Sequence, residues 1–161
     1  MRVAVTPSGP LQGRRVAVTG LGAVSCAGVG VTALWSALLR SDAPASKRIA
    51  EFDASRLGNA KELRRLDPFA LYALMAADEA WNQSGLVGPY EDAGSIVTTG
   101  IGGLQTVLDQ DAVLMSKGPD RVSPFLVPML MPNAATAAVS MRFGLGGPAE
   151  TVTTACAAGT H

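Results

Sequence analysis

The chain has 161 residues, of which 48% are apolar and 16% charged, a composition typical of a globular protein with a buried core. Thirteen basic residues balance thirteen acidic ones, which argues against the broad basic surface of a general nucleic-acid-binding protein. No segment reaches the ~18 consecutive apolar residues of a membrane-spanning helix. The first eleven residues also lack the apolar run of a signal peptide, so we expect a cytoplasmic protein.

Cysteine and histidine are scarce, and this restricts the chemistry of the chain. Cys26 and Cys156 are its two cysteines, and His161 is its one histidine. This set matches neither a disulfide framework nor the ligand spacing of a zinc site.

The first part of the chain predicts a leader, a strand and a helix. Residues 1–13 are interpreted as a leader that precedes the domain. The β-rich run Arg14–Thr19 predicts a strand, and Gly20–Gly22 predicts a turn after it. Apolar residues at helical spacing predict a helix over Val31–Arg40. The polar segment Ser41–Asn59 is expected to be a surface loop.

The middle of the chain predicts two long helices on either side of a strand. Asp67 is a good helix cap, Pro68 suits the first helical position, and Gly85 suits a helix end. A strand is predicted over Ala93–Thr99, and a second amphipathic helix over Leu104–Lys117.

The last part of the chain alternates again between helix and strand. Three prolines within Val122–Pro132 exclude a regular helix throughout that segment. Asn133 is expected to cap a helix that ends at Phe143, and Thr151–Thr154 is expected to be a strand. Strands that alternate with helices indicate an α/β fold with a parallel or mixed sheet and helices on its faces.

Cys156 lies directly after the last predicted strand, in a run of small residues. A sharp strand-to-helix turn would lift the thiol clear of the sheet edge, and the positive end of a helix favours the thiolate. Amide groups at such a turn can also stabilise the oxyanion that forms in acyl transfer. A thiolate in this setting can take an acyl group from a thioester. A small, buried and unreactive cysteine is the alternative that these residues leave open.

His161 is a poor candidate for the base that would serve Cys156. Positions five apart on a helix differ by about 140° in direction, whereas neighbouring side chains lie three or four residues apart. We therefore expect a packing or hydrogen-bonding role for His161, and a base from outside this sequence.

Several segments together resemble the condensing β-ketoacyl-acyl-carrier-protein synthases, in particular the elongating enzymes of type II fatty-acid or aromatic polyketide systems. The similar segments follow the order of that family along nearly the whole chain after Gly13. They are Val16–Ser25 with Gly28, Lys61–Asp67, Gly100–Leu104, Val122–Phe125 with Pro128, Pro132–Asn133, Phe143–Leu145 with Gly147–Pro148, and Thr154–Gly159.

The resemblance implies a thiolase-like fold, in which two similar halves form a layered αβαβα sandwich that acts as a homodimer or a close heterodimer. Residues 14–161 would be most of the first half, truncated just after the nucleophile. It also implies a decarboxylative condensation of an acyl group on Cys156 with malonyl carrier protein, without a metal or redox cofactor. Two catalytic histidines and part of the oxyanion hole would come from the second half.

The resemblance assigns further roles to individual residues. Lys61, Arg64 and Arg65 fall at i, i+3 and i+4 of a helical turn, where the family's basic residues contact the acidic acyl carrier protein. Arg121 is a weaker candidate for the same surface. Ile101 resembles the family residue that lines the acyl pocket and limits chain length. The alternative for the basic residues is a solvated run of charge, and the alternative for Ile101 is plain core packing.

Two departures from the family pattern and two competing functions complete the prediction. Cys26 stands where proline is common, and Ala158 replaces a frequent serine beside the nucleophile. A non-catalytic scaffold subunit that pairs with a full synthase remains an alternative, as does a thiolase acting on coenzyme A thioesters. The presence of Cys156 argues against the chain-length-factor relatives, which lack the nucleophile.

Overall fold

The computed structural model describes residues 16–40, 46–50 and 52–160. The predicted leader, the first residues of the first predicted strand, part of the predicted surface loop, and His161 lie outside the described residues.

Helices and strands alternate along the described part of the chain. In order, they are β1 (Val24–Ser25), β2 (Gly28–Val29), α1 (Val31–Arg40), α2 (Ala60–Leu63), α3 (Pro68–Ser84), β3 (Ser95–Thr99), α4 (Leu104–Lys117), α5 (Leu126–Leu130), α6 (Ala134–Phe143) and β4 (Ala149–Thr153). Short 3₁₀ segments lie at Ser55–Leu57, Pro119–Arg121 and Ala155–Thr160.

The helix ends follow the capping signals of the sequence. Helices α1 and α4 have the predicted bounds. The Asp67 side chain caps α3, and Gly85 ends it in the left-handed conformation, with a φ of 69°. Asn133 precedes α6 as predicted, but its own helical backbone conformation leaves its side chain without a capping hydrogen bond, so that part of the prediction is wrong.

The central sheet pairs β3 and β4 in parallel, with a register that runs from Ser95 opposite Ala149 to Thr99 opposite Thr153. Thr136, buried on α6, contacts both strands, and its hydroxyl oxygen lies 3.5 Å from the Val97 carbonyl oxygen of β3. Its hydroxyl oxygen lies 3.2 Å from the Glu150 carbonyl oxygen and 2.5 Å from the Thr151 hydroxyl oxygen. Because the strands are parallel, the segments that follow their carboxyl ends emerge at the same edge of the sheet.

The predicted strand over Arg14–Thr19 is not observed in its described part. Residues 16–19 belong to no strand, since none of the described strands lies alongside to form a ladder, and Val16 is 93% exposed. The chain instead crosses α3, where the Glu79 carboxylate accepts hydrogen bonds from the N–H groups of Ala23 and Val31, both at 2.9 Å. Glu79 thus anchors both the β1–β2 hairpin and the start of α1.

The core lies between α3 and α6. Leu74 and Met75 of α3 pack with Val139 of α6. Leu57 joins this cluster from the predicted surface loop and is buried, so the surface prediction is wrong for Leu57. Ser55 and Arg56 of the same 3₁₀ segment are exposed, as predicted. Trp81 covers one end of the cluster by stacking on Phe143, with ring centroids 4.5 Å apart.

Among the described residues, no helix combines the length and apolar character that crossing a membrane would require.

Candidate active site

Cys156 lies in a tight turn directly after the central sheet. β4 ends at Thr153, and the 3₁₀ segment starts at Ala155, whose φ of 49° places it in the left-handed region. The Ala157 N–H donates to the Thr154 carbonyl oxygen at 3.1 Å and closes the turn. Cys156 is exposed as a free thiol. The predicted strand-to-helix setting is therefore observed, with a 3₁₀ segment where we expected the start of a longer helix.

The glycine turn, residues Gly100–Gly103, follows the partner strand β3 at the same edge. A Cβ atom on Gly100 would lie 3.8 Å from the Ala155 Cα atom, so the two turns are in van der Waals proximity. The Thr99 hydroxyl accepts a hydrogen bond of 3.2 Å from the Gly102 N–H. Ile101 projects from this turn and is 64% exposed. The structure thus brings the Ile101 turn and the Cys156 turn together.

Two glycines let this turn approach α5 closely. Gly102 has a φ of 98°, and a Cβ atom there would lie 2.7 Å from the Leu130 carbonyl oxygen. Gly103 donates its N–H to the same carbonyl oxygen at 3.0 Å. Larger residues would push the turn away from α5, so these glycines fix where Ile101 is presented.

The basic turn, residues Lys61–Arg65, comprises most of α2 and the two residues after it. Asn59 and Glu62 form a capping box at its start, and Arg64 keeps a helical backbone with its Nε donating to the Ala60 carbonyl oxygen at 2.9 Å. Lys61, Arg64 and Arg65 are all exposed. The structure therefore presents these three cations on one short helical turn.

Arg65 also makes a contact that the sequence pattern does not predict. Its guanidinium carbon lies 4.3 Å from the centroid of the Phe125 ring, in a cation–π geometry. Phe125 is the residue that precedes α5, so Arg65 connects the basic turn with that helix.

Arg121 is exposed at the end of the 3₁₀ segment Pro119–Arg121, after α4. Within the described ranges no hydrogen bond joins it to the basic turn. The position of Cys26, in the turn between β1 and β2, gives that partly buried cysteine no part in the Cys156 site. No group of three His, Cys, Asp or Glu side chains among the described residues is arranged to hold a metal ion.

Asp67 contributes to the site in a way that the sequence signal only partly reveals. The residue is 2% exposed and caps α3, as predicted. Its second carboxylate oxygen accepts a hydrogen bond of 2.8 Å from the Thr106 N–H in the first turn of α4, directly after the glycine turn. The two residues lie 39 positions apart, and no local pattern indicates such a pairing.

Comparison with known proteins places the chain beside enzymes of one kind. The family model described as "Beta-ketoacyl synthase, N-terminal domain" matches residues 43–161. The 3-oxoacyl-[acyl-carrier-protein] synthase 2 of Synechocystis sp. is 35% identical over 94% of this chain, and that of Rhizobium meliloti is 36% identical over 92%. The Staphylococcus aureus enzyme of the same name is 38% identical over 93%. The chain spans 41% of the length of each of these relatives.

Solved structures show the same similarity in three dimensions. A ketosynthase of a type II polyketide synthase, bound to the hexaketide and in complex with its acyl-carrier protein, superposes with a TM-score of 0.71 at 25% identity, over 88% of this chain and 42% of that one. The ishigamide ketosynthase/chain length factor gives a TM-score of 0.73 at 19% identity, over 85% of this chain and 39% of that one.

Proposed function

Because this chain belongs to the β-ketoacyl synthase family through its N-terminal domain, we propose that it is the nucleophile-bearing part of a 3-oxoacyl-[acyl-carrier-protein] synthase. The observation that carries the proposal is the exposed thiol of Cys156 in a strained turn at the carboxyl edge of the parallel strands. Ligands of α/β sheets bind at this edge. The domain would span residues 14–161.

The reaction proceeds in two stages. The Cys156 thiolate attacks the carbonyl carbon of an acyl carrier protein thioester, and a new C–S bond forms as the carrier's C–S bond breaks. The carrier leaves as a thiolate, which takes up the proton that the Cys156 thiol lost. The carboxylate of malonyl carrier protein then departs as carbon dioxide, and the remaining carbanion attacks the acyl-Cys156 carbonyl. The thiolate of Cys156 is released, and the product is a β-ketoacyl thioester on the carrier.

Residues outside this sequence would complete the site. The family's two histidines stabilise the enolate after decarboxylation, whereas this sequence holds a single histidine, His161. The Cys156 backbone N–H would supply one donor to the oxyanion. The chain's coverage of about two fifths of its relatives supports a second half, either as a continuation or as another chain. The complete enzyme would be a cytoplasmic homodimer or heterodimer.

The basic turn would dock the acyl carrier protein. Lys61, Arg64 and Arg65 are exposed, and a carrier protein with acidic helices would meet complementary charge there. The similar polyketide ketosynthase forms a complex with its own acyl-carrier protein. Arg121 would add to this surface.

Ile101 would contact the far end of the bound acyl chain. It projects from the glycine turn, which lies against the turn that carries Cys156. A branched apolar side chain at that place would limit the length of chain that the site accepts.

A substitution of the nucleophile tests the proposal directly. In the complete synthase, Cys156→Ala should abolish transfer of a radiolabelled acyl group from acyl carrier protein, because no sulfur remains at position 156 to form the thioester. Acyl labelling of the protein, resolved on a denaturing gel, measures this outcome.

Cys26→Ala provides a matched control, since Cys26 is the other free thiol and lies in the β1–β2 turn. This variant should label as well as the wild type. Undiminished labelling of Cys156→Ala, or loss of labelling in Cys26→Ala alone, would disprove the assignment of the nucleophile.

A non-catalytic scaffold subunit is the second candidate, because the chain matches only part of each relative. The free, exposed thiol of Cys156 favours a catalytic chain over a scaffold subunit. The same labelling experiment separates the two, since a scaffold would take up no acyl group at all.

A further inference from the structure

Asp67 is a buried carboxylate with two separate hydrogen-bonding tasks. One oxygen accepts from the Phe69 N–H at 3.0 Å and caps α3. The other accepts from the Thr106 N–H at 2.8 Å in the first turn of α4. Thus one side chain satisfies free N–H groups at the starts of two helices, and the positive ends of both helices stabilise its negative charge.

Helix α4 takes this cap from Asp67, because the residue at its own N-cap position, Gly103, has no side chain. Gly103 occupies the capping position and makes no side-chain hydrogen bond. A Cβ atom on Gly103 would lie 3.1 Å from the second carboxylate oxygen of Asp67, so the absence of a side chain admits the carboxylate. The Thr106 N–H that Asp67 accepts belongs to the third residue of α4, which a normal N-cap would serve.

The same residue adjoins the basic turn. Arg65 N–H donates to the Glu62 carbonyl oxygen, and Leu66 N–H donates to that of Leu63, so the helical winding of α2 continues almost to Asp67. Asp67 therefore connects the end of the basic turn with the end of the glycine turn across a single side chain.

A second series of contacts also connects the basic turn with the glycine turn. Arg65 stacks on Phe125 before α5, and the last residue of α5, Leu130, accepts the Gly103 N–H at 3.0 Å. This route passes through an exposed cation–π contact, whereas the carboxylate of Asp67 is buried. Hydrogen bonds to a buried charge are stronger than neutral ones, so Asp67 is the more rigid of the two links.

We propose that Asp67 is a positioning residue, which holds the glycine turn and Ile101 at a fixed place relative to the basic turn and thereby sets the acyl length that the enzyme accepts. This assignment rests on the proposed function and extends it. Asp67 would touch neither the thioester nor the carrier protein and would act through the backbone of α4.

Asp67→Ser in the complete synthase tests the link selectively. Serine is a good N-cap and retains the hydrogen bond to Phe69, but its one short oxygen cannot also reach Thr106. The ratio of kcat/KM for long and short acyl carrier proteins should shift on the order of tenfold, since a displaced Ile101 changes the fit by about one or two methylenes. The Kd for the carrier protein should stay at the wild-type value, because the basic turn keeps its charges.

Amide hydrogen exchange gives a readout that does not depend on activity. Peptides covering residues 100–108 should exchange faster in Asp67→Ser than in the wild type, while those covering α3 should not change. Asp67→Asn serves as a second variant of the same size. It retains an N-cap oxygen for α3 and places an amide donor against the Thr106 N–H, so it should show the same two changes if the serine variant fails to fold.

Matched variants separate this assignment from a general loss of stability and from the proposed function. Asn59→Ala removes the cap of α2 without touching the glycine turn, so it should leave the acyl-length ratio unchanged. Ile101→Ala should alter the ratio directly. A folded Asp67 variant whose kcat/KM falls equally for all acyl lengths, or whose exchange over residues 100–108 is unchanged, would overturn the positioning role. Absence of acyl uptake by the wild type would instead contradict the proposed function. The exchange result would still show whether Asp67 holds the glycine turn in place.

Discussion

The backbone of Ala155 takes a φ of 49° directly before Cys156, and it is the one non-glycine residue with a positive φ in the part of the chain that the structure describes. This conformation costs an L-residue about 1–2 kcal/mol. Ala155→Gly should therefore fold and take up acyl groups like the wild type, with a stability change within about 1 kcal/mol. Ala155→Val should lower acyl uptake at least about tenfold, because a β-branched residue would relax the turn and move the thiol. Calorimetric Tm values and acylation rates of the complete synthase measure both outcomes.

Ala157→Val is the control for Ala155→Val, since it adds the same atoms one residue beyond Cys156 in a backbone without a positive φ. The loss of acylation should be clearly smaller there. Equal losses at both positions would show that bulk near the thiol, rather than the left-handed backbone of Ala155, governs reactivity.

Nothing in the sequence around Ala155 predicts its left-handed backbone. Glycine or asparagine would have signalled a positive φ, whereas alanine does not. The hydrogen bond from the Thr106 N–H to Asp67 could not be predicted from the sequence either, for a different reason. The cap that Asp67 provides for α3 is a local signal, but its bond to the Thr106 N–H depends on how α3 and α4 pack. The sequence therefore indicates which residues form the site more readily than it indicates what holds them there.

The basic turn allows a test of carrier docking. Lys61→Glu should weaken carrier binding on the order of tenfold at low ionic strength, because it reverses an exposed charge that would face an acidic partner. The fold should persist, since a glutamate in the first turn of α2 interacts favourably with the helix dipole. Carrier Kd values as a function of salt concentration measure this effect, and the difference from wild type should shrink as salt is added.

Two controls accompany the charge reversal. Lys47→Glu changes a cation that is also exposed but lies outside the basic turn, and it should leave the Kd unchanged. Acylation of the Lys61 variant by an acyl pantetheine thioester, which lacks the carrier protein, should proceed at the wild-type rate. Equal weakening by both charge reversals would indicate a general electrostatic effect and not a docking site.

Element boundaries are predictable here where their signals are local. Helices α1 and α4 have the predicted bounds, and α3 runs between its aspartate cap and its glycine end. The predicted strand over Arg14–Thr19 shows the opposite case. Its β-rich composition is clear, but a strand also needs a partner, and no described strand pairs with residues 16–19. The residues that follow are held against α3 instead, since Leu21 donates its N–H to Gln83, and Ala23 and Val31 donate theirs to Glu79, 48 to 62 positions away. Long-range pairing of this kind is not encoded in a local window.

The thiolase-like α/β fold predicted from the resemblance is confirmed by the similarity to solved ketosynthases. In the structure, however, a large share of apolar surface remains outside the core. Trp35, Leu38 and Leu39 of α1 are exposed, as are Leu108 and Met115 of α4. In a layered sandwich such faces pack against further layers, so the helical periodicity predicts which face is apolar but not what covers it.

This exposed apolar surface leads to a prediction about the 161-residue polypeptide on its own. Many large apolar side chains are exposed on α1 and α4, so the isolated polypeptide should self-associate and bind a hydrophobic dye. It should also form no β-ketoacyl product, since the family's two histidines are not both present in this sequence. Light scattering, dye fluorescence and a condensation assay measure these properties, and supplying the second half should reverse all three. A monomeric polypeptide that binds no dye, or one that makes β-ketoacyl product alone, would contradict the proposal that the active enzyme needs a second half.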